Sequence, residues 1–382
     1  MTQRIPVIVI GGGIVGASCA LHLNRSGYEV TVVEAGTVGH RATRLAAGAF
    51  RSQFAHPEET LLTMRSHEIR DEIQARSGVD FGFRRVGFVL LASDEAAAAE
   101  LNARRGFQSD LGLDIRDLDG AELRALVPGI ATDDLLATRF TPADGYARPQ
   151  HVTRLLMQLA VDEGVVLREE ASVVDIESDG IGQASGVALA DGERLGAEIV
   201  VNASGLGAAT VGRMLGTALP VGPRRQHQFF TGESAGIEPS KVPNVMERSR
   251  RLYLRGEGGG FLLSTSSADE DHRTDTDVTW PLTDSLRATL GHRWPAVADL
   301  PITDGWVGCY PITPDDRAIV GADPHMAGVF HAVGLGGHGF MHGLSTGEAV
   351  TAVVSTGSWG TIDLSPLRPD RFTSAPSGTD VA

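Results

Sequence analysis

Residues 7–10 (Val-Ile-Val-Ile) form a continuous apolar run, the pattern of a strand buried on both faces. Residues 14–26 then carry helical spacing, and Gly27 is placed to stop that helix. Residues 28–33 are a second β-branched run, ended by Glu34. A strand, helix and strand joined this tightly imply a parallel pair with a right-handed crossover. The helical pattern returns at 151–163, through Val152, Leu155, Leu156, Leu159 and Ala160, and stops at Gly164. Stretches 165–176, 186–189 and 197–202 read as strands. Between these lie segments of another character: a strand at 86–92, a polar helix at 95–112 and a strand at 225–232. Residues 253–255 and 260–264 read as a hairpin turning over 256–259. A further buried run, 328–333, leads through glycines into a helix from 341 to 355. No repeat of solenoid period is visible. The alternation predicts an α/β chain of two interleaved domains rather than two beads on a string.

The chain has 382 residues, of which 42% are hydrophobic, enough for two domains with a sizeable core. Its 33 basic and 48 acidic residues give a formal charge of −15, which argues against nucleic acid or an anionic membrane as a bulk partner. Two cysteines, Cys19 and Cys309, exclude a disulfide framework and a thiol-rich metal site, and no metal is expected. No apolar stretch reaches the roughly 20 residues of a membrane span. The first residues show no signal-peptide pattern, so the expected location is a reducing cytoplasm. Lys241 is the only lysine. The 47 glycines cluster towards the two ends of the chain, and that clustering carries the chemistry.

Gly11, Gly12, Gly13, Ile14, Val15 and Gly16 fit the G-x-G-x-x-G spacing. The first glycine turns the chain off the strand, the second removes a Cβ where a pyrophosphate must approach, and the third lets helix and strand pack closely. The free N–H groups and positive dipole end of the following helix suit phosphate. Glu34, closing the second strand with Ala35 after it, is placed to accept the ribose hydroxyls of an adenosine and would repel a 2′-phosphate. The motif does not separate NAD from FAD. Its place near the N-terminus and the lack of a second fingerprint for a separate nicotinamide favour FAD. The small-residue run through Arg41, Thr43, Arg44, Leu45, Ala46, Ala47 and Gly48 suits the middle of a long extended cofactor. A second strand, glycine loop and helix follows at Gly336, Gly337, His338, Gly339, Phe340 and Met341. A helix start under one edge of a flavin would stabilise the anionic reduced ring.

These residues resemble the FAD-dependent amine and amino-acid oxidoreductase superfamily, which includes D-amino-acid oxidase, glycine oxidase and sarcosine oxidase. The likeness is nearest to the branch of the sarcosine oxidase β-subunit and dye-linked proline dehydrogenase β-subunit. It is carried by residues 7–34, 46–51 (AAGAFR), 201–205 (VNASG), 306–315 (WVGCYPITPD), 336–342 (GGHGFMH) and 364–372. It implies a Rossmann-type FAD-binding domain made of 1–85, 145–215 and 318–372. The implied substrate domain, on a large and mainly antiparallel sheet, comprises 86–144 and 216–317, with 373–382 as a disordered tail. The substrate would lie between that sheet and the flavin. The turn Ala203, Ser204 and Gly205 would approach the pyrophosphate region, and Val173 the adenine.

Departures from the family narrow the chemistry. Tyr310 stands where glycine oxidase and D-amino-acid oxidase carry a carboxylate-binding arginine, and Met341 where monomeric sarcosine oxidase carries a lysine for the same purpose. Gly308 occupies the position of the cysteine that attaches flavin in that enzyme, so non-covalent FAD is expected, with Cys309 a buried small hydrophobe. Leu262 replaces its oxygen-activating lysine. The resemblance implies oxidation of a secondary amine, N-methyl amino acid or cyclic imino acid, by hydride transfer from the α-carbon to flavin N5, and hydrolysis of the imine. A carboxylate wants a cation. Arg51, Arg255 and His227 are the candidates, with Tyr253, Tyr310 and His338 as further candidate active-site residues. Two other readings stay open: a 2-hydroxy-acid oxidoreductase, and a flavin-holding electron-transfer subunit of a hetero-oligomer. The electron acceptor is oxygen or another carrier, and a homo- or hetero-oligomer is compatible with the sequence.

Overall fold

The computed structural model describes residues 4–265 and 272–372. The tail expected to be disordered, 373–382, lies outside the described residues. The chain divides into two compact units, one of Met1–Arg44, Pro149–Pro223 and Tyr310–Ala382, the other of Leu45–Arg148 and Arg224–Cys309.

In the first unit a six-stranded sheet runs in the order Ile319–Ala322, Val329–Val333, Ile199–Asn202, Pro6–Ile10, Glu29–Val33, Val166–Arg168. All neighbours are parallel except the antiparallel pair at the Ile319–Ala322 edge. Pro6–Ile10 is central, and Val7, Ile8 and Val9 are at most 1% exposed, which accounts for the unbroken apolar run. A separate three-stranded antiparallel sheet is built from Val173–Ser178, Ala184–Leu189 and Arg194–Gly196. The helices Ile14–Arg25 and Gly339–Thr356 pack side by side in the same direction: a Cβ on Gly343 would lie 3.0 Å from Ile14, and one on Gly347 would lie 2.3 Å from Ser18 Oγ. Glycine at these two positions is what allows the close parallel approach. Ser18 Oγ also donates to the Leu344 carbonyl at 2.8 Å.

The second unit holds most of an eight-stranded sheet, ordered Ile302–Ile312, Gly222–Thr231, Gly260–Thr265, Leu252–Glu257, Asn244–Glu247, Phe88–Ala92, Ala137–Thr141, Arg116–Asp117. Register fixes its two faces. Val89, Val245, Leu254, Leu263 and Phe229 lie in one cross-strand row. They share a core with Leu286, Leu290 and Trp294. The adjacent row, Leu90, Met246, Tyr253, Ser264 and Gln228, points the other way. A buried ion-pair network ties the sheet to the helix Leu282–Arg293. The carboxylate of Glu247 accepts from Arg293 Nε at 2.8 Å, Arg293 Nη2 at 3.0 Å and Ser93 Oγ at 2.6 Å.

The compact units differ from the expected boundaries mainly over 45–85, which cluster with the sheet-rich unit. The physical tie is local. Phe50 pairs with Gly145, Ser52 Oγ donates to Asp144 at 2.6 Å, and Gln53 Nε2 donates to Thr141 Oγ1 at 2.7 Å. His67 bonds the same Asp144 at 3.2 Å from the helix Pro57–Ser77. That helix had no apolar signature, because much of its buried face is polar: Glu59, Thr60, Thr63, Ser66, His67 and Arg70. The stretches 216–223 and 310–317 cluster with the first unit, where Val221 packs with Ile319 and Val333.

Candidate active site

The first glycine cluster forms a cradle. Gly11 has φ +111°, and a Cβ there would sit 2.5 Å from the Ala203 carbonyl oxygen and 3.2 Å from Ser204 Cα. The turn Ala203, Ser204 and Gly205 therefore lies directly against the fingerprint. A Cβ on Gly16 would fall 1.8 Å from the Gly11 carbonyl oxygen, so only glycine lets the helix meet the turn. Helix Ile14–Arg25 starts at Gly13 with no side-chain cap and no acid in its first turn. Its Ile14 N–H has only a 3.4 Å contact to Thr43 Oγ1. An uncapped, acid-free helix start beside a cradle that no Cβ can enter suits an anionic pyrophosphate.

Glu34 is 9% exposed, and its carboxylate accepts from Gly12 N–H at 2.6 Å and Gly36 N–H at 2.9 Å. A carboxylate has about four acceptor sites, so two remain for vicinal hydroxyls of a ribose. Ala35 beside it is exposed, and Val173 packs at the edge of a core that includes Val33 and Ile10. Arg41 and Arg44 are exposed on the following loop. The residues present thus fit the dinucleotide half of FAD.

The second glycine cluster lies in the same unit. Helix Gly339–Thr356 also begins without a side-chain cap or an acid in its first turn. Gly336 has φ +55°, and a Cβ on Gly337 would lie 2.9 Å from the Tyr310 ring. Tyr310 is therefore brought to this loop. The His338 amide N–H bonds the Leu335 carbonyl at 3.0 Å, and its ring lies 5.6 Å from that of His342. Phe340 and Met341 are buried.

The sheet-rich unit sorts the remaining candidates. Arg51 is buried, its Nη1 donates to the Gln53 carbonyl at 2.5 Å, and its guanidinium lies 4.2 Å over the Phe54 ring. Burial pulls its pKa down to about 10, with the Arg248 charge adding to the effect, so it remains a cation at neutral pH. Tyr253 stacks on Phe88 at 6.1 Å, and its hydroxyl donates to Asn244 Oδ1 at 3.4 Å.

Two of the candidates are placed differently from the others. Arg255 is held as a clamp. Its Nε donates to the Ala47 carbonyl at 2.8 Å, and its Nη1 donates to Gly256 O at 2.9 Å and Glu257 Oε2 at 2.5 Å. Its guanidinium also lies 4.4 Å over the Tyr146 ring, and Glu257 neutralises its charge. His227 faces away from Tyr253 and Arg255. It shares a sheet face with Phe229, whose ring it stacks on at 6.1 Å, and strand alternation puts that face opposite Tyr253.

The same alternation brings forward a residue the sequence reading passed over. Gln228, 0% exposed, lies on the Tyr253 face, and neither its Oε1 nor its Nε2 has a hydrogen-bond partner among the described residues. Gln226, two residues earlier, donates to Ser264 Oγ at 2.8 Å. The signal was available in the pattern: with Phe229 taken as a core residue, Gln226 and Gln228 must point the other way from Arg225 and His227.

Known proteins are similar to this chain over most of its length. The family model described as "DAO: FAD dependent oxidoreductase" matches residues 6–353. Glycine oxidase of Geobacillus kaustophilus is 27% identical over 364 residues, covering 93% of this chain and 94% of that protein. FAD-dependent oxidoreductase domain-containing protein 1 of Xenopus laevis is 26% identical, over 97% of this chain and 83% of its own length. The crystal structure of L-proline dehydrogenase from P. horikoshii superposes with a TM-score of 0.90 at 25% identity, covering 98% of this chain and 99% of that one. Among the described residues no helix is long and apolar enough to cross a membrane. With the glycine cradle, the Glu34 carboxylate and a family match over most of its length, the chain belongs to the DAO family of FAD-dependent oxidoreductases.

Proposed function

We propose that this flavoenzyme oxidises a secondary amine, an N-methyl amino acid or a cyclic imino acid, using non-covalent FAD. The observation that carries the reading is Gln228. A buried amide with both atoms unpartnered costs about 1–3 kcal/mol, a cost that a ligand offering a donor and an acceptor together relieves. An amino or imino acid does so: its amine N–H suits Oε1, and its carboxylate suits Nε2. A neutral acceptor also stabilises an ammonium less than a carboxylate side chain would, which favours the neutral amine whose lone pair the oxidation needs. Arg51 supplies the positive charge for a carboxylate. Bound FAD supplies the hydride acceptor, and the imine product hydrolyses in water. The proline dehydrogenase likeness supports a cyclic imino acid within this class.

Non-covalent attachment is supported at Gly308, where a Cβ would lie 3.0 Å from both Leu45 Cβ and Leu45 O, leaving no room for a longer side chain. Flavin should appear in the supernatant after acid precipitation. A cytoplasmic location is supported by Cys19 and Cys309, both buried and neither in a disulfide among the described residues. Reoxidation rates in air and with an artificial dye distinguish oxygen from another acceptor, and sedimentation reads the oligomeric state.

The deciding experiment is anaerobic mixing of the holoenzyme with amines, imino acids and hydroxy acids while flavin absorbance is followed. Bleaching by N-methyl or cyclic amino acids is expected. Bleaching by hydroxy acids alone, or by none of these but by a copurifying protein, would overturn the reading. Gln228→Leu should weaken the active substrate by about 10- to 100-fold, as expected for one lost hydrogen bond to a charged group. The same variant should melt at a higher temperature without substrate, because it removes an unpaired buried amide. A parallel fall in stability would place Gln228 in the core instead.

A further inference from the structure

His331 lies in the strand Val329–Val333 at 0% exposure, paired in register with Asn202 on one side and Gly321 on the other. Its Nε2 meets Asp323 Oδ2 at 2.9 Å. Asp323 also accepts from Thr217 Oγ1 at 2.6 Å and from the His325 and Met326 amides at 2.8 Å each. Burial opposes ionisation of Asp323, but these bonds outweigh it and hold its pKa at about 2. An ionised carboxylate only accepts, so the imidazole proton must sit on Nε2. In the neutral ring Nδ1 is then the acceptor, which matches the Asn202 NH2 facing it at 3.2 Å. That orientation aims Asn202 Oδ1 at Ser204, where it accepts the hydroxyl at 2.6 Å and the amide N–H at 3.2 Å.

We propose that Asp323, His331 and Asn202 act as positioning residues for the Ser204 turn of the FAD cradle. Asp323 sets the tautomer of His331, the tautomer sets the flip state of Asn202, and Asn202 holds the turn that touches Gly11. Each member has a defined donor and acceptor sense, so a change of sense at one member is felt by the others. The inference rests on the cradle around Gly11 being the FAD site, which binding of FAD to the wild-type apoprotein checks separately.

The test is a reversal of that sense. Asp323→Asn is isosteric and lies outside the cradle, but its two amide N–H groups must serve Thr217 and His331, because the His325 and Met326 amides occupy its oxygen. His331 is then driven to the Nδ1–H tautomer, which clashes with the NH2 of Asn202. The FAD dissociation constant of Asp323→Asn should rise at least tenfold. The double variant Asp323→Asn with Asn202→Asp gives Nδ1–H an acceptor and leaves the second carboxylate oxygen for Ser204. It should recover most of the affinity. Melting of apo and holo forms is recorded alongside. An Asp323→Asn variant with lower apo stability but unchanged FAD affinity overturns the proposal, as does a double variant that binds no better than the single one. If Asp323→Asn does not fold, Ser204→Ala keeps the chain intact and should weaken FAD several-fold at unchanged apo stability; unchanged affinity there also overturns it.

Discussion

Gly16→Ala should yield a protein that purifies without flavin, with FAD affinity at least 100-fold weaker than wild type. The added methyl would stand 1.8 Å from the Gly11 carbonyl oxygen and 3.0 Å from its carbon. These are backbone atoms and cannot rotate aside. Gly16 lies in the helix and has no positive φ, so the effect is purely one of space. The helix must lift from the turn or the turn must move, and either change opens the cradle that Gly11 and Ala203 close. Overpacking a tight site costs roughly 1–3 kcal/mol in itself, and the loss of bound FAD removes the ligand's stabilisation as well. Gly27→Ala is the control. There φ is +95° but nothing lies within 4 Å of the new atom, so modest destabilisation with flavin retained is expected. Retention of normal flavin content by Gly16→Ala would show that the turn yields without consequence, and the steric account would fail.

Arg293→Met should be the most destabilising single change away from the cradle. Arg293 and Glu247 are both 0% exposed, and the pair is joined by two bonds of 2.8 and 3.0 Å. Arg293 also donates to the Ala131 carbonyl at 2.6 Å and to Asp134 at 3.0 Å. Removing Arg293 leaves the buried Glu247 carboxylate with Arg250 and Ser93 alone, at a cost of up to about 3–5 kcal/mol. The denaturation midpoint in urea reads this directly. Replacing both residues by Met and Leu removes the stranded charge along with the attraction, and such exchanges are often neutral. The double variant should therefore be more stable than Arg293→Met. If the single variant unfolds with the wild type, Arg250, which reaches Glu247 at 2.9 Å, has taken over the compensation.

The sequence made the dinucleotide cradle readable because its geometry lies in one contiguous stretch, where glycine spacing, the following helix and the closing Glu34 are local facts. The buried parallel strands were readable for the same reason. The substrate side was harder, because it depends on register. Arg255 looks like an open cation until Ala47 and Glu257 are seen to hold it, and the Ala47 partner is remote in sequence. His227 looks like a cavity residue until Phe229 fixes its face. The helix Pro57–Ser77 escaped detection because hydrophobic periodicity cannot report a face buried in polar contacts.

The order of strands in the first sheet has a consequence for synthesis. Pro6–Ile10 lies between Glu29–Val33, made at once, and Ile199–Asn202, made much later. Translation at about 5–20 residues per second leaves the nascent edge of Pro6–Ile10 unpaired for on the order of ten to forty seconds. The whole second stretch Leu45–Arg148 emerges in that interval. Sheet closure then waits again for Val329–Val333. During this time a strongly apolar strand exposes an open edge to any other chain nearby. Yield should therefore depend on how quickly the ribosome reaches residue 333 and on what shields that edge meanwhile. A product ending before Val329 carries the whole fingerprint but leaves Ile199–Asn202 with an open edge, which makes such fragments aggregation-prone despite an intact motif.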